Sequence, residues 1–452
     1  MAVKLFNTLR RKKQIFTARP DNVIRMYTCG PTVYKSQHIG NYRTFIFEDI
    51  LKRVLLARGY QVRHVMNITD VGHLVSDADE GEDKIEKEAR VQKRSARDIA
   101  RFFEMEFKKD IKTLNILPPE RFTRATAHIK DQIKLIQAIE KKGLVYRTAD
   151  GIYFDTSRIS DYGKLAPKNI RGIRSGARVA LKEKRNPTDF ALWKFSPAHG
   201  PHRQMEWRSP WGIGFPGWHI ECSAMSMKYL GPTLDIHCGG VDHIQVHHSC
   251  EIAQSEAVTG KPSARFWMHC AHLTLAEGKM AKSSPETNIT LKTLKDRGFD
   301  PLDLRYLVLG VHYRKPLLFR WEALAGARSA RLKLASFYQA LPIKKQRGED
   351  NFRKRIEDAV FDDLNTPRAL AAFFAAVRKP VSRSFVLWAD HIFGLSIGRR
   401  SPIPRNILVL VKKRESCRQK KEWRAADEIR DLLARQGFRV KDTKDGPVIH
   451  RI

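Results

Sequence analysis

The stretch RMYTCGPTVYKSQHIGN, residues 25 to 41, decides the fold of the chain. Ile24, Met26 and Tyr27 predict a short buried strand, and the Gly-Pro pair at 30 and 31 ends it. The apolar spacing of residues 39 to 56 then predicts a helix. Cys29 therefore lies at the carboxyl end of a strand, which is the edge where parallel α/β sheets bind ligands.

The residues that follow extend this pattern into a strand–helix–strand unit. Gly40 allows close backbone approach at the helix start, where a ligand's phosphate groups can bind. Apolar residues 62 to 68 predict the next parallel strand, so the unit is the first half of a doubly wound, Rossmann-like sheet. The polar residues 67 to 70 end that strand and would either point into the cleft or cap a helix.

The charge of the chain indicates a polyanionic partner. Lys and Arg total 83 against 49 Asp and Glu, which gives 452 residues a net charge of +34. This charge exceeds what solubility requires and favours nucleic acid. Adaptation to a basic proteome or a salty cell is the alternative explanation. The length allows two to four domains.

Cysteine usage and the N-terminus predict a reducing, cytoplasmic location. The six cysteines form no short paired spacing, which argues against a disulfide scaffold. The N-terminal segment lacks the apolar core of a signal peptide, and no apolar run reaches the roughly 18 residues that span a bilayer. We therefore expect no membrane association.

Two further motifs carry a resemblance to a known family. HIGN at 38 to 41 and KMAKS at 279 to 283 together resemble the two signature motifs of class I aminoacyl-tRNA synthetases. CGPTVY at 29 to 34 resembles cysteinyl-tRNA synthetases in particular. The resemblance runs over nearly the whole chain. It implies a class I Rossmann-like, nucleotide-binding catalytic domain with an insertion, then an α-helical anticodon-stem domain and a small C-terminal module.

The same resemblance implies where the domains begin and end. From the residues alone, only a smaller mixed insertion within the nucleotide fold and a mainly helical second half are indicated. The implied boundaries are 1–125 and 217–275 for the two catalytic halves, 126–216 for the connective insertion, 276–325 for a stem-contact region with the KMAKS loop, 326–398 for the helical domain and 399–452 for the anticodon-binding module.

A metal site is weakly indicated by spacing and strongly by the resemblance. His247 and Glu251 are four residues apart on a predicted helix and so leave the same face. The chain has no Cys-x-x-Cys pair to strengthen this signal. The resemblance implies that Cys29, Cys222, His247 and Glu251 hold one zinc ion per chain. Such an ion would select the thiolate of cysteine over serine, so no editing domain is expected.

Several residues near these positions depart from the family pattern, and two of them are additional thiols. Ser249 and Cys250 stand where family members commonly have Glu and Asn, and Cys238 stands where Gly or Thr is common. For Cys270 a buried core position is the preferred interpretation.

Activation of the amino acid falls, by resemblance, to His38, Asn41, Lys279 and Lys282. Attack on the α-phosphorus of ATP passes through a crowded, negatively charged transition state, which positioned donors and cations stabilise. Lysines on a mobile loop can close over the β and γ phosphates of Mg²⁺–ATP. By itself, a basic loop such as 278 to 283 is more typical of a solvated turn.

The remaining ATP and substrate contacts also come from the resemblance. Trp218 would shape the amino-acid pocket, and Asp235 would lie with the ribose and adenine side. His237, His243 and His248 could equally be buried core histidines. The expected contacts, besides Lys282, are Gly30, Thr32, Gly40, Trp218, His237, Gly239 and Asp242.

The sequence therefore predicts a cysteine–tRNA ligase activity with tRNA(Cys), ATP and L-cysteine as partners, in a monomer. A cysteine ligase of the mycothiol pathway shares the nucleotide fold and the zinc set but needs no basic tRNA surface. A non-catalytic RNA-binding relative is the other alternative. The net charge of +34 favours tRNA, and the retention of both phosphate motifs favours an enzyme.

Overall fold

The structure, a computed structural model, describes residues 2–71, 83–166, 183–196, 203–275, 278–279, 288–398, 405–443 and 446–451. The strands are β1 (Val3–Asn7), β2 (Lys12–Phe16), β3 (Val23–Thr28), β4 (Gln61–Ile68), β5 (Arg121–Arg124), β6 (Val145–Arg147), β7 (Gly151–Phe154), β8 (Phe190–Phe195), β9 (Trp207–Ser209), β10 (Gly212–Pro216), β11 (Leu234–Gly240), β12 (Ala264–Cys270), β13 (Leu273–Leu275), β14 (Gly278–Lys279), β15 (Leu317–Leu318), β16 (Phe438–Thr443) and β17 (Gly446–Arg451). The α-helices are α1 (Ile39–Ala57), α2 (Lys84–Gln92), α3 (Ala96–Thr113), α4 (Ile129–Glu140), α5 (Trp218–Leu230), α6 (His247–Thr259), α7 (Leu291–Asp296), α8 (Pro301–Leu309), α9 (Trp321–Ala340), α10 (Glu349–Val360), α11 (Thr366–Val377), α12 (Arg383–Phe393), α13 (Arg405–Gln419) and α14 (Trp423–Arg435).

The central sheet is parallel, with strand order β12-β11-β3-β4-β5. The chain moves from β3 to β4 in one direction and from β11 to β12 in the other, so the order reverses between β3 and β11. In open α/β sheets the ligand crevice lies beyond the carboxyl ends of the strands at this point. The predicted Rossmann-like fold is confirmed.

Helix α1 is buried on nearly every side, and its buried residues include the charged side chains of Arg43, Glu48, Asp49 and Arg53. It packs between the central sheet and the helices α8 and α12, and most of its side chains are buried. Its N-terminus at His38 points to the carboxyl edge of the sheet, because the chain enters it directly after β3.

A second sheet lies within the segment that separates the two halves of the parallel sheet. Its strands are antiparallel, in the order β6-β7-β8-β10-β9. Helix α4 packs on it, and the two share a small apolar core that includes Ile136, Phe154 and Trp193.

A buried ion pair joins the catalytic sheet to the helical region. Asp49 on α1 accepts hydrogen bonds from Arg53 Nε at 2.8 Å and from Arg305 on α8. The same Arg305 side chain, fully buried, donates to the carbonyls of Phe393 at 2.7 Å and Leu114 at 3.0 Å. Removing one partner from such a buried pair typically destabilises a protein by about 3–5 kcal/mol. These contacts therefore fix α8 and α12 against the sheet.

The remaining helices follow the predicted pattern. The second half was expected to be mainly helical, and it contains α7 to α14, with the Ala-rich α11 among them. A hairpin, β16–β17, packs on α14 near the C-terminus. The acidic run before Asp83 lies outside the described residues. In the part of the chain that the structure describes, no helix combines the length and apolar character that membrane crossing requires.

Glu48 is a buried carboxyl group on α1 without a strong partner. It is 1% exposed, and neither of its carboxylate oxygens has a hydrogen-bond partner within the described residues. Burial raises its pKa well above the usual range, and the nearby Thr28 hydroxyl opposes this rise only weakly. The folded protein therefore holds Glu48 in its neutral form.

This burial predicts a pH-dependent gain in stability for Glu48→Gln. Because the pKa of Glu48 is raised in the folded state, its favourable contribution to the unfolding free energy is fully present below the unfolded-state pKa of about 4.3. That contribution is lost as the pH rises toward the folded-state pKa. The difference in unfolding free energy between Glu48→Gln and the parent should therefore grow from pH 4.5 to pH 8, reaching about 1 kcal/mol or more. Thermal melts across this range measure it, with the exposed Glu120→Gln as the control. A difference that stays constant with pH would contradict a neutral Glu48.

Candidate active site

A cleft of about 290 Å³ opens at the carboxyl edge of the parallel sheet. Its walls come from the loop after β3, the start of α1, the end of β4, the segment between β11 and α6, and the end of β12. The first predicted phosphate motif, at 38 to 41, and two predicted metal ligands, Cys29 and His247, therefore line one cavity.

The loop after β3 passes over the ends of two neighbouring strands. Cys29 N donates to Cys238 O at 3.1 Å on β11, and Gly30 N donates to Asn67 Oδ1 at 2.7 Å on β4. A side chain at Gly30 would place its Cβ 1.8 Å from the carbonyl oxygen of Asn67. Only glycine fits at this position, and its role here is close packing of the backbone.

The start of α1 is closed by a reciprocal pair of hydrogen bonds. Asn41 N donates to His38 Nδ1 at 3.1 Å, and His38 N donates to Asn41 Oδ1 at 3.3 Å. Because Nδ1 accepts, the neutral His38 ring carries its proton on Nε2. The pair that the sequence predicts for phosphate chemistry therefore also caps the helix, and it lies at the positive end of the helix dipole.

The second phosphate motif is anchored beside the first. The main chain of Lys279 in β14 pairs with that of Thr274 in β13. Farther along the chain, Ile289 O accepts a hydrogen bond of 2.8 Å from Ile39 N at the start of α1. The loop between these two anchors includes Lys282, which lies outside the described residues. Its base therefore sits next to the start of α1.

Four predicted metal ligands converge beneath the cleft. One donor atom from each of Cys29, Cys222, His247 and Glu251 lies within 4.8 Å of all the others, and all four side chains are buried. His247 Nε2 is 3.0 Å from Glu251 Oε1, as their spacing of four on α6 predicts. The structure thus brings together residues that are more than 200 positions apart in sequence.

The electrostatics of this group favour a cation. Burial opposes ionisation of Cys222, but Cys29 and His247 outweigh it and lower the pKa of Cys222 to about 6. Burial likewise opposes a charged His247, yet Glu251 and Cys222 raise its pKa to about 10. His237 and His247 overcome burial and lower the pKa of Glu251. A thiolate and a carboxylate therefore face each other, and the protonated His247 supplies the positive charge that balances them.

A second donor set overlaps the first. His237, His248, Cys29 and Glu251 also bring one donor atom each within 4.8 Å. Cys29 Sγ is 3.2 Å from His248 Nε2, and Glu251 Oε2 is 2.7 Å from His237 Nε2. Both sets use Cys29 and Glu251, so one ion can occupy only one of them.

Further histidines surround the donors in neutral form. His219 Nδ1 and His247 Nδ1 share a hydrogen bond of 2.9 Å, and His248 Nδ1 and His269 Nε2 share one of 2.8 Å. Burial lowers the pKa of His219, His248 and His269 well below the usual value. His269 was not identified from the sequence. It lies near the end of β12, where it pairs in register with Gly239 and so comes close to the donors.

The predicted ATP and substrate residues divide into two groups. Thr32, Gly40, Trp218 and Asp242 line the cleft, and the Trp218 ring stacks on His247 with centroids 4.4 Å apart.

His237 and Gly239 lie beneath the lining, packed against Glu251 and the histidines. Asp235 was expected on the ribose side, but it lies near the amino end of β11, at the opposite edge of the sheet.

The polar run at 67 to 70, which was expected either to point into the cleft or to cap a helix, is divided between two sites. Asn67 and Thr69 line the cavity, so part of the polar run that ends β4 does face the cleft. Asp70 instead accepts hydrogen bonds from Thr126 N and Oγ1, at 2.9 and 2.6 Å. Lys84 also lines the cleft, with its ammonium 5.9 Å from the Tyr34 ring centroid. Lys84 had no role assigned from the sequence, and the Asp-Lys-Ile run at 83 to 85 is the sequence feature that contains it.

Comparison with known proteins identifies the family. Residues 15–329 match the family of class I (C) tRNA synthetase catalytic domains, and residues 401–447 match the cysteinyl-tRNA ligase anticodon-binding domain. Cysteine–tRNA ligase 1 of Burkholderia lata is 50% identical over 455 residues, covering 99% of this chain and 96% of that protein. The chain belongs to the cysteine–tRNA ligase family. The family and the fold predicted from the sequence are confirmed.

More distant relatives agree with this assignment. The cysteine–tRNA ligase of Thermus thermophilus is 38% identical, with 99% of each chain covered. Among solved structures, methionyl-tRNA synthetase of Mycobacterium tuberculosis bound by methionyl-adenylate has a TM-score of 0.54 at 14% identity, covering 83% of this chain and 88% of that one. This likeness shows the shared fold. The match to an anticodon-binding domain favours a tRNA ligase over the mycothiol-pathway alternative.

Gly30→Ala should distort the cleft because the new methyl group would overlap the Asn67 carbonyl. We expect the unfolding free energy to fall by about 2 kcal/mol or more, together with amino-acid activation. Gly326→Ala is the matched control, since nothing lies within 4 Å of its Cβ in the middle of α9. That substitution should stabilise the helix by about 0.5–1 kcal/mol. Chemical denaturation of both variants measures the difference, and equal stabilities would refute the close contact.

Proposed function

We propose that this chain joins cysteine to tRNA(Cys) in two steps within the cleft. The cysteine carboxylate attacks the α-phosphorus of ATP, which gives cysteinyl-AMP and releases pyrophosphate. A ribose hydroxyl of the 3′ terminal adenosine of the tRNA then attacks the acyl carbonyl, which forms the ester and releases AMP. One observation carries this proposal: Cys29 and His247, two members of the donor group, line the same cavity as the capped start of α1. Membership of the cysteine–tRNA ligase family supports it.

Cys29, Cys222, His247 and Glu251 would hold one zinc ion. Two thiols and an imidazole are preferred ligands of Zn²⁺, and the donor atoms are close enough to share one ion. When bound, the ion would supply a soft Lewis acid that favours the thiolate of cysteine over the hydroxyl of serine. The first donor set is favoured over the set with His237 and His248 because it offers two thiolates.

Neighbouring side chains would orient these ligands. The hydrogen bond between His219 and His247 fixes the direction in which the His247 ring points. His237 bonds the Glu251 oxygen Oε2, which leaves Oε1 toward His247 and the thiols. Partners of this kind commonly set the orientation and basicity of metal ligands. Trp218, stacked on His247, would form the wall against the substrate side chain.

The start of α1 would bind the phosphates of Mg²⁺–ATP. His38 Nε2–H and the Asn41 side chain are donors at the positive end of the helix, where phosphate oxygens are stabilised. Lys279 and Lys282 would close over the β and γ phosphates as pyrophosphate leaves. The anchoring of both ends of their loop beside α1 supports this role.

Gly30, Thr32, Gly40 and Asp242 would bound the nucleotide on the cleft side, and His237 and Gly239 would support that surface from below.

The rest of the chain would hold the tRNA. We assign residues 126–216 to the acceptor end, 276–325 and 326–398 to the stem, and 399–452 to the anticodon, with 1–125 and 217–275 as the catalytic halves. The match of 401–447 to an anticodon-binding domain supports the last assignment. Because one chain supplies every residue of the site, we propose that it acts as a monomer.

Cysteine-dependent exchange of pyrophosphate into ATP, followed by charging of tRNA(Cys), tests the proposal. We expect both activities, with serine at least about 10⁴-fold poorer than cysteine in exchange. Exchange without tRNA charging would indicate an amino-sugar ligase, and charging should therefore be compared with transfer to a free amino sugar. Absence of exchange would refute the enzyme assignment.

Cys222→Ser should lower bound zinc from about one ion per chain to a small fraction and reduce exchange by at least about 10-fold, because a ligand thiolate is lost. Metal analysis of the purified chain measures the zinc. Cys250→Ser is the matched control, since Cys250 is equally buried on α6 but belongs to neither donor set. Retention of full zinc content in Cys222→Ser would point to the donor set with His237 and His248.

A further inference from the structure

An open basic pocket of about 660 Å³ lies at the opposite edge of the sheet from the cleft. Four cationic side chains line this basic pocket: Arg19, Arg25, Lys261 and Arg265. They come from the segment after β2, from β3, from the turn after α6, and from β12. Residues from four distant segments thus place their charges in one concavity.

The buried carboxylate of Asp235 holds the three guanidinium groups in position. Arg19 Nε donates to Asp235 Oδ1 at 2.9 Å, and Arg265 Nη1 donates to the same oxygen at 3.0 Å. Oδ2 accepts from Arg25 N at 2.9 Å, and the Arg25 guanidinium is 3.9 Å away. The Asp235 side chain is fully buried, whereas the three arginine side chains remain 24–34% exposed. The carboxylate therefore orders the cations while leaving them accessible from the pocket.

The pocket keeps positive charge in excess. Besides Asp235, one further carboxylate contributes: Asp21 pairs with Arg25 Nη2 at 2.7 Å. Four cations against two carboxylates leave a net charge of two. Lys261 is exposed, and no carboxylate in the described part of the chain lies within ion-pair distance of it. One arginine would be enough to neutralise Asp235, yet three surround it. The additional positive charge points to an anionic ligand.

The basic pocket is separate from the cleft. Arg25 precedes Cys29 by four residues along β3, which corresponds to about 13 Å in an extended strand. A ligand of the basic pocket therefore cannot share its phosphate groups with ATP in the cleft.

We infer that the basic pocket binds phosphate groups carrying about two negative charges. One Nη of each arginine donates to the protein itself, to Thr233 O from Arg19, to Asp21 from Arg25 and to Thr17 Oγ1 from Arg265, so a ligand would meet the remaining N–H groups. Such groups bind phosphate oxygens through charge-assisted hydrogen bonds, and ordered arginines lose little conformational entropy on binding. The phosphates come either from neighbouring phosphodiesters of the tRNA, which rests on the proposed function, or from a free phosphate.

Lys261→Ala tests this inference in the full chain, because its exposed side chain contributes charge without packing. Lys12→Ala is the matched control, since Lys12 is exposed on the β1–β2 hairpin and lies outside the pocket. The affinity for tRNA is measured at several salt concentrations for both variants. The affinity for inorganic phosphate is measured by calorimetry while a non-hydrolysable ATP analogue fills the cleft.

If the ligand is tRNA, the slope of log K against log salt should fall by about one in Lys261→Ala only. If it is free phosphate, the slope should not change and phosphate binding should weaken at least about fivefold. Arg265→Lys, which keeps the charge but loses the fork, should weaken the same interaction. Unchanged values in both assays, or equal changes in Lys12→Ala, would overturn the inference. Pyrophosphate exchange should be unaffected in every variant. A failure of the ligase assignment would instead abolish exchange in the parent protein, so the two failures can be told apart.

Discussion

The close approach of Gly30 to the carbonyl of Asn67 is the constraint on which the site depends. Because no side chain intervenes, the loop after β3 can cross the end of β4 while Cys29 bonds the end of β11. The thiol is thereby held over the donors of α6. The chain then turns into α1, whose first residues carry His38. One backbone path thus sets the distance between the thiol proposed to hold a metal ion and the helix start proposed to bind phosphate.

Local pattern was enough to predict the elements around this path. The strand at 24 to 27, the helix from residue 39 and the strand from 62 are close to β3, α1 and β4, because each buries a continuous apolar surface. The position of Asp235 was not predictable from local pattern. The resemblance placed Asp235 on the ribose side. It lies instead at the start of β11, and the direction of this strand puts its start at the edge of the sheet opposite the cleft.

The donor group shows a different limit of sequence reasoning. His247 and His248 are adjacent, yet their rings face different neighbours, His219 and His269. Sequence spacing identifies the pair but not the direction of either ring. Strand register decides it, since His269 pairs with Gly239 beside the helix. Burial then keeps the outer rings neutral, so positive charge is concentrated on the ring nearest the thiols.

The anchoring of the segment between β14 and α7 also has an entropic consequence. Lys279 is paired in β14, and Ile289 is bonded to the start of α1, so the chain between them is held at two fixed points. A segment closed at both ends samples fewer conformations than a free chain end of the same length. Ordering such a segment therefore costs less conformational entropy than ordering a free tail.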